Sequence, residues 1–326
     1  MSNAIIRPSI GTAMLLNLRK GDLPNPPTTA YLMIGDECSN NCGFCTQARE
    51  ASGSGEMLSR VSWPSFGKEE VINALARSKE MGIGRVCLQC LNDPAMVKDL
   101  PSLIGEISKS SGLPISVSIS SMAPEYLASL REAGADRVGI AVDAGSKELF
   151  DRIKGKGVGN PYDWDDIWRS MEDAVQIFGW GKVSTHLIIG MGESDRNVFD
   201  VMKRSRDTGV LLSLFAYTPM EGTDLKLDPP PLVRYRAMQF MRHCVIASGS
   251  TFGFEFDDGR LTGIPSVLDD APGSAFMTRG CPNCNRPYYN ERPRGPMYNY
   301  PRELTRKEHE DALEMVREYI IENNIN

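Results

Sequence analysis

Short apolar runs, often β-branched, alternate along this chain with longer stretches whose apolar positions recur every three or four residues. The first pattern predicts buried strands and the second amphipathic helices. Strands are expected at residues 29–36 (TAYLMIGD), 84–89 (GRVCLQ), 114–120 (PISVSIS), 136–143 (DRVGIAVD), 182–190 (KVSTHLIIG) and 211–219 (LLSLFAYTP). TFGFEF supplies a seventh and GSAFMTRG an eighth. Helical segments lie between them. In EEVINALARSKEMG, for example, Val71, Ile72, Leu75 and Met81 share a face, and Gly82 provides a C-terminal cap.

Strand–helix alternation repeated about eight times over 326 residues predicts an α/β fold of the (β/α)8 TIM barrel type. A doubly wound open sheet would need a glycine-rich phosphate turn after its first strand, and a cysteine loop stands there instead. Loops that follow barrel strands gather at one face, so the cysteine loop, CLND, Asp143, GMGES and TPMEGT are expected to converge. Residues 1–28 read as an N-terminal extension, 29–280 as the barrel, and 281–326 as a C-terminal Cys-x2-Cys segment and helix packed on it. Within the last part, residues 286–302 are rich in Pro, Arg and Tyr and read as extended. The terminal helix, expected from Leu304 to Asn323, carries Leu313, Val316 and Ile320 on one face.

An apolar fraction of 41% and a charged fraction of 24% are those of an ordinary globular protein, and no apolar run reaches membrane-span length. A cytoplasmic location is the expectation. The net charge of −6 argues against a nucleic-acid coat. It is unevenly spread: seven Lys or Arg between Arg279 and Lys307 face only Glu291 and Glu303, giving +5 there and −11 elsewhere. Arg286, Arg292 and Arg294 fit either the steering of an acidic partner or a solvated tail. Tyr288, Tyr289, Tyr298 and Tyr300 interleave with them, but overall acidity disfavours RNA.

Seven of the eight cysteines fall in close-spaced clusters, and only Cys244 stands alone, as a buried small hydrophobe would. Metal-ligand spacing, not a disulfide framework, accounts for such clusters in a reducing compartment. GDECSNNCGFCTQ places Cys38, Cys42 and Cys45 in one polar loop with no fourth thiol beside them. A structural zinc site wants four protein ligands, and a cubane iron–sulfur cluster takes one per iron. Three cysteines therefore leave one iron open. The amine and carboxylate of S-adenosylmethionine can chelate that iron beside a cleavable sulfonium.

C-x3-C-x2-C directly after a first strand, with Phe44 before the last cysteine, resembles the radical S-adenosylmethionine superfamily. The resemblance implies that Cys38, Cys42 and Cys45 are the catalytic cluster ligands of a [4Fe–4S] centre. It also implies that Phe44 packs near the adenine, that S-adenosylmethionine is cleaved to a 5′-deoxyadenosyl radical, and that a ferredoxin or flavodoxin supplies the electron. HLIIGMGES resembles the G-x-I-x-G-x-x-E adenine-side motif at Ile188, Gly190 and Glu193, with His186 in place of its first glycine. AVDAGSKELFDRI resembles the fourth-strand segment of the biotin synthase branch, which makes Asp143 the ribose-binding acid. LFAYTPMEGT resembles the sixth-strand region of the same branch. Where relatives carry two glycines and a glutamate for the methionyl amine this chain has QCLND, so Asp93 or Asn92 is expected to substitute.

VCLQC and CPNC add Cys87, Cys90, Cys281 and Cys284, two pairs nearly two hundred residues apart. Side chains alternate along a strand, so Cys90 points away from Cys87 unless the strand ends first. Barrel closure would bring both pairs to the mouth. A zinc clip and an auxiliary [4Fe–4S] cluster both satisfy this spacing, and the latter fits a pair on a barrel strand better. RGCPNCNRPYYNERPRGPMYNYPR with VCLQCLND most resembles a subunit of the archaeal-type, two-protein lipoyl synthase. That resemblance implies sulfur insertion into an octanoyl-lysyl carrier protein in lipoyl cofactor biosynthesis, together with a second radical S-adenosylmethionine subunit. A biotin synthase-like isomerase or hydrogenase maturase with a structural second metal, an RNA methylthiotransferase-like enzyme lacking its RNA domain, and a non-catalytic iron–sulfur carrier are the alternatives.

Overall fold

The structure is a computed structural model, described for residues 5–292 and 294–325. Six parallel strands form most of the main sheet. They are β2 (Ala30–Ile34), β4 (Val86–Cys90), β5 (Ile115–Ile119), β6 (Ala135–Ile140), β7 (Val183–Ile189) and β8 (Val210–Ala216). Two antiparallel strands, β1 (Ile5–Pro8) and β3 (Phe66–Gly67), complete the order β8-β7-β6-β5-β4-β2-β1-β3. The sheet is thus mostly parallel and eight-stranded, with helices packed against it in the manner of an α/β TIM barrel.

The last two strand positions are filled differently from the expectation. Phe256 does lie in a strand, but Glu255–Asp257 turns at Asp258 and Gly259, both at positive φ, and pairs with Arg260–Gly263 as a separate hairpin. Asp-Gly is a hairpin signal, and it outweighs the short apolar run before it. GSAFMTRG opens with a tight 3-10 turn, Gly273–Phe276, and contributes a single bridge, Met277 to Tyr300. The chain from Arg279 to Asn283 then spans from β8 to β2. Ser213 Oγ of β8 donates to Arg279 O, while Thr28 and Thr29 at the head of β2 donate to Asn283 O. The terminal helix runs from Arg306 to Ile325 and packs on Leu232–Arg242.

Alternation on the strands separates two environments. The outward positions, among them Leu32, Leu88, Val117 and Ile140, join the helices in one apolar core. The inward positions carry few large aliphatics: Cys87 and Gln89 on β4, Ser116 and Ser118 on β5, Gly139 on β6, Ser184 and His186 on β7, Ser213 and Phe215 on β8. A barrel lined with Val, Ile and Leu would fill its own centre. Small and polar residues leave this one hollow.

Candidate active site

The hollow is a cavity of about 280 Å³ that runs between the two ends of the parallel strands. Gly35 ends β2 at φ +103°, a left-handed conformation that any side chain would strain, and a Cβ there would lie 3.2 Å from Asp93 Cβ. The cysteine loop that follows has no regular structure and is gripped from outside. Ser39 N donates to Asn92 O at 2.9 Å, and Asn92 Nδ2 donates back to Ser39 Oγ at 2.7 Å. Asn41 N donates to Asn160 Oδ1 at 2.7 Å, and Gly43 N donates to Ile153 O at 2.8 Å. Cys38, Cys42, Phe44 and Cys45 all reach the cavity wall.

Burial pushes the Cys42 thiol well up and the Cys45 thiol up to about 12, against the opposing effects of Lys154 on the first and of Gln47 N–H on the second. Such thiols ionise when a metal centre takes them as ligands. No three His, Cys, Asp or Glu side chains among the described residues crowd closely enough to hold a single ion. A cluster that takes one cysteine per iron spaces its thiolates more widely than one ion does. Three thiols round a cavity beside the buried cation Lys154 therefore fit a cluster.

The nucleoside-side residues divide into two groups. Phe44, Asp143 and Ile188 line the cavity. Asp143 sits at φ +59°, stitched beside β7 by its N–H to His186 O and by its carbonyl, which accepts from Ile188 N. Its carboxylate lies 2.6 Å from Lys154 Nζ. Burial opposes the charge on Lys154, but Asp143 and Cys42 together outweigh it, so the Lys154 pKa is raised.

Asp93, Gly190 and Glu193 lie outside the lining. The Asp93 carboxylate is spent on Ala95 N and Met96 N as the N-cap of helix Pro94–Ser111, and on Asp36 N at 3.0 Å. Asn92 is the member of that pair at the cavity. Gly190 turns at φ +104° where a Cβ would meet Pro230 Cδ at 2.8 Å. Glu193 braces this turn by accepting from Gly190 N at 2.8 Å, Met191 N at 2.9 Å and Arg234 at 2.9 Å.

The second cysteine set also faces the cavity, but at the other end. Residues 281–286 lie against the amino ends of β2 and β4, where Arg85 Nε donates to Pro282 O and Asn283 Nδ2 reaches Gly84 O. The expected gathering at the mouth fails because no eighth strand delivers this loop to the carboxyl ends. Cys87 stands opposite Tyr31 in the register, and Cys87 and Cys284 both pack against the cluster of Tyr31, Met33, Trp63 and Leu91. Burial raises its thiol, and neighbouring Cys281 and Cys284 add to the shift. Cys90 stands opposite Ile34 on the face of Leu88; it contributes to the cavity wall but packs against the helix-side core, with Leu88 O as its polar neighbour at 3.9 Å. Strand β4 stays regular through Cys90, so the second set is Cys87, Cys281 and Cys284, and Cys90 is not brought to it.

Several cavity residues were not singled out in the sequence. Tyr31 OH lies 3.4 Å from Cys284 Sγ, and Gln89 Nε2 lies 3.0 Å from Cys87 Sγ. Asn160 Nδ2 lies 3.7 Å from Cys42 Sγ. Arg286 turns inward, its guanidinium 4.1 Å from the Phe215 ring centroid, and so leaves the surface where a steering charge would act. Arg292 and Arg294 are exposed. His186 packs edge-on to Phe215, and burial, with Arg286 nearby, lowers its pKa to about 4.

A partial α/β barrel whose first parallel strand empties into a C-x3-C-x2-C loop at a hollow centre defines an iron–sulfur barrel enzyme. The chain belongs to the radical SAM superfamily, whose family model matches residues 32–204. Such an enzyme holds a [4Fe–4S] cluster and S-adenosylmethionine. The chain is similar to biotin synthase of Geobacillus kaustophilus, 26% identical over 225 residues, covering 65% of this chain and 63% of that protein. It is also similar to a "Probable GTP 3',8-cyclase" of Methanococcus aeolicus, 22% identical over 58% of this chain and 59% of that protein. The match thus spans less than two thirds of the curated relatives' length. Among solved structures, methylornithine synthase (PylB) superposes with a TM-score of 0.51 at 19% identity, over 71% of this chain and 68% of that one. The maturase HydG of Carboxydothermus hydrogenoformans superposes at 0.52 and 17% identity, over 68% and 51%. These likenesses establish the fold. No helix among the described residues is long and apolar enough to cross a membrane.

Proposed function

We propose that this chain is a sulfur-inserting radical SAM enzyme of the lipoyl synthase kind. It acts on an octanoyl-lysyl carrier protein, with a second radical SAM subunit performing the other insertion and a ferredoxin or flavodoxin as electron donor. The observation that carries the reading is that Cys87, Cys281 and Cys284 face the same cavity as Cys38, Cys42 and Cys45, from its opposite end. A zinc clip for the tail would have no need to face a reaction chamber.

When bound, the cofactors supply a hydrogen-abstracting radical at the first cysteine set and an auxiliary iron–sulfur centre as sulfur donor at the second, so that one C–H bond of the acyl chain is replaced by a C–S bond. The chain itself positions and shields. Leu58, Ile188, Phe215 and Met220 give the cavity an apolar lining suited to an alkyl chain. Asp143 and Lys154 hold paired charge at the first set, and Tyr31 and Gln89 direct polar groups at Cys284 and Cys87 of the second. The tail from Cys281 to Asn290 covers the amino ends of the strands and keeps water from that side. Similarity to biotin synthase adds support, since that name denotes a relative in which sulfur is inserted.

The test is to incubate the reconstituted protein with S-adenosylmethionine, a reductant and an octanoylated lipoyl domain, and to weigh the domain. A gain of one sulfur atom on the octanoyl-lysine, lost in a Cys281→Ala variant, is expected. Cleavage of S-adenosylmethionine with an unchanged acyl mass, across octanoylated carriers, would overturn sulfur insertion and favour a rearrangement chemistry.

A further inference from the structure

Of the two arginines that line the cavity, Arg85 pairs with Asp136, whereas Arg286 has no ion-pair partner among the described residues. Its guanidinium stacks on Phe215, and Nη2 donates to Arg279 O at 2.7 Å. Its Nε is wholly out of solvent with nothing to donate to. Two buried acids nearby are already committed, Glu291 to the backbone N–H groups of Asn290 and Asn299 and Asp143 to Lys154. A guanidinium N–H held away from water with no acceptor is costly.

The backbone holds it there deliberately. Arg286 sits at φ +36°, a left-handed conformation a non-glycine residue rarely adopts. Its N–H donates to Tyr31 OH at 2.9 Å, and with that oxygen accepting, the phenol proton is free to point at Cys284 Sγ, 3.4 Å away. Arg286, Tyr31 and Cys284 thus form one relay that ends on a sulfur. Gln89 makes a second approach, on Cys87 Sγ, from the neighbouring strand.

We propose that Arg286 is a positioning residue and counter-charge for a negatively charged, thiolate-ligated metal centre on Cys87, Cys281 and Cys284, with its free Nε–H donating to that centre. This rests on the second metal centre of the proposed function but not on sulfur insertion. Three thiolates around an iron–sulfur cubane carry net negative charge, and the arginine offsets it.

The experiment uses the full chain with Cys38, Cys42 and Cys45 replaced by Ala, reconstituted anaerobically and then challenged with a chelator. Metal retained at the second set is counted for Arg286, Arg286→Lys and Arg286→Gln, with thermal melts to confirm folding. Retention is expected to fall about tenfold in Arg286→Gln and to recover in good part in Arg286→Lys. Where the metal is iron, the reduction potential of Arg286→Gln is expected to move negative, because a nearby positive charge favours the reduced form. Equal retention and equal potential in folded Arg286→Gln would overturn the role of Arg286 while leaving the second centre intact. Absence of any metal in the Arg286-bearing protein would overturn both.

Discussion

Glu193 offers the sharpest separation between binding the cofactor and bracing the loop that faces it. Its carboxylate has no solvent exposure, and that of Asp195 has 3%; both pair with Arg234 at 2.9 Å. One guanidinium thus serves two buried acids, and Tyr319 OH and Leu261 N also donate to Asp195. Replacing Arg234 with Met leaves two buried carboxylates without their cation, which costs about 3–5 kcal/mol. Glu193→Gln leaves Arg234 still paired with Asp195 and keeps an acceptor for one of Gly190 N and Met191 N, orphaning the other at about 1–3 kcal/mol. Arg234→Met is therefore expected to be the more damaging, by roughly 2 kcal/mol. Urea unfolding read as a shift in midpoint at constant slope gives the stabilities. Calorimetric titration of the reconstituted proteins gives S-adenosylmethionine affinity. Both variants are expected to weaken that affinity in proportion to lost stability, although Arg234 lies outside the cavity lining. A Glu193→Gln protein as stable as wild type that binds S-adenosylmethionine poorly, alongside normal binding in Arg234→Met, would refute the brace.

Cys87→Ala should abolish metal at the second set while Cys90→Ala leaves it unchanged, as metal analysis in the absence of the first set would reveal; equal loss in both contradicts the strand register. Asn160→Ala removes the acceptor of Asn41 N and the donor near Cys42, so its first cluster should bleach several-fold faster in air; an unchanged rate would mean the loop holds itself. His186 has a pKa of about 4 in the fold against 6.5 ordinarily, so the unfolded chain takes up that proton first and wild type loses stability as pH falls from 6.5 toward 4. His186→Gln should flatten that part of the stability curve and leave it unchanged above 6.5, and identical curves would show that His186 titrates normally.

The six parallel strands were legible because each carries a short β-branched and apolar stretch bounded by helical periodicity, and each stretch lies where its strand does. The missed features have identifiable causes. Asp257-Asp258-Gly259 carries a turn signal, and the apolar run before it masks the hairpin as a barrel strand. Asp93 before Pro94 has the composition of a helix cap, and in a sequence an acid that caps looks the same as an acid that binds. The serines of SVSIS and of β7 and β8 carry an unread signal of the hollow interior, since serine at alternate strand positions is the opposite of barrel packing. Strand alternation argued that Cys90 turns away from Cys87, and it does. Nothing in the sequence distinguished Arg286 from Arg292 and Arg294. Only the path of the tail under the barrel turns one of them inward.

The most direct measurement counts iron and acid-labile sulfide, with Mössbauer spectra, in the chain lacking Cys38, Cys42 and Cys45. About four irons in a cubane are predicted. Zinc, or no metal, would contradict the second iron–sulfur centre and with it the sulfur-inserting reaction.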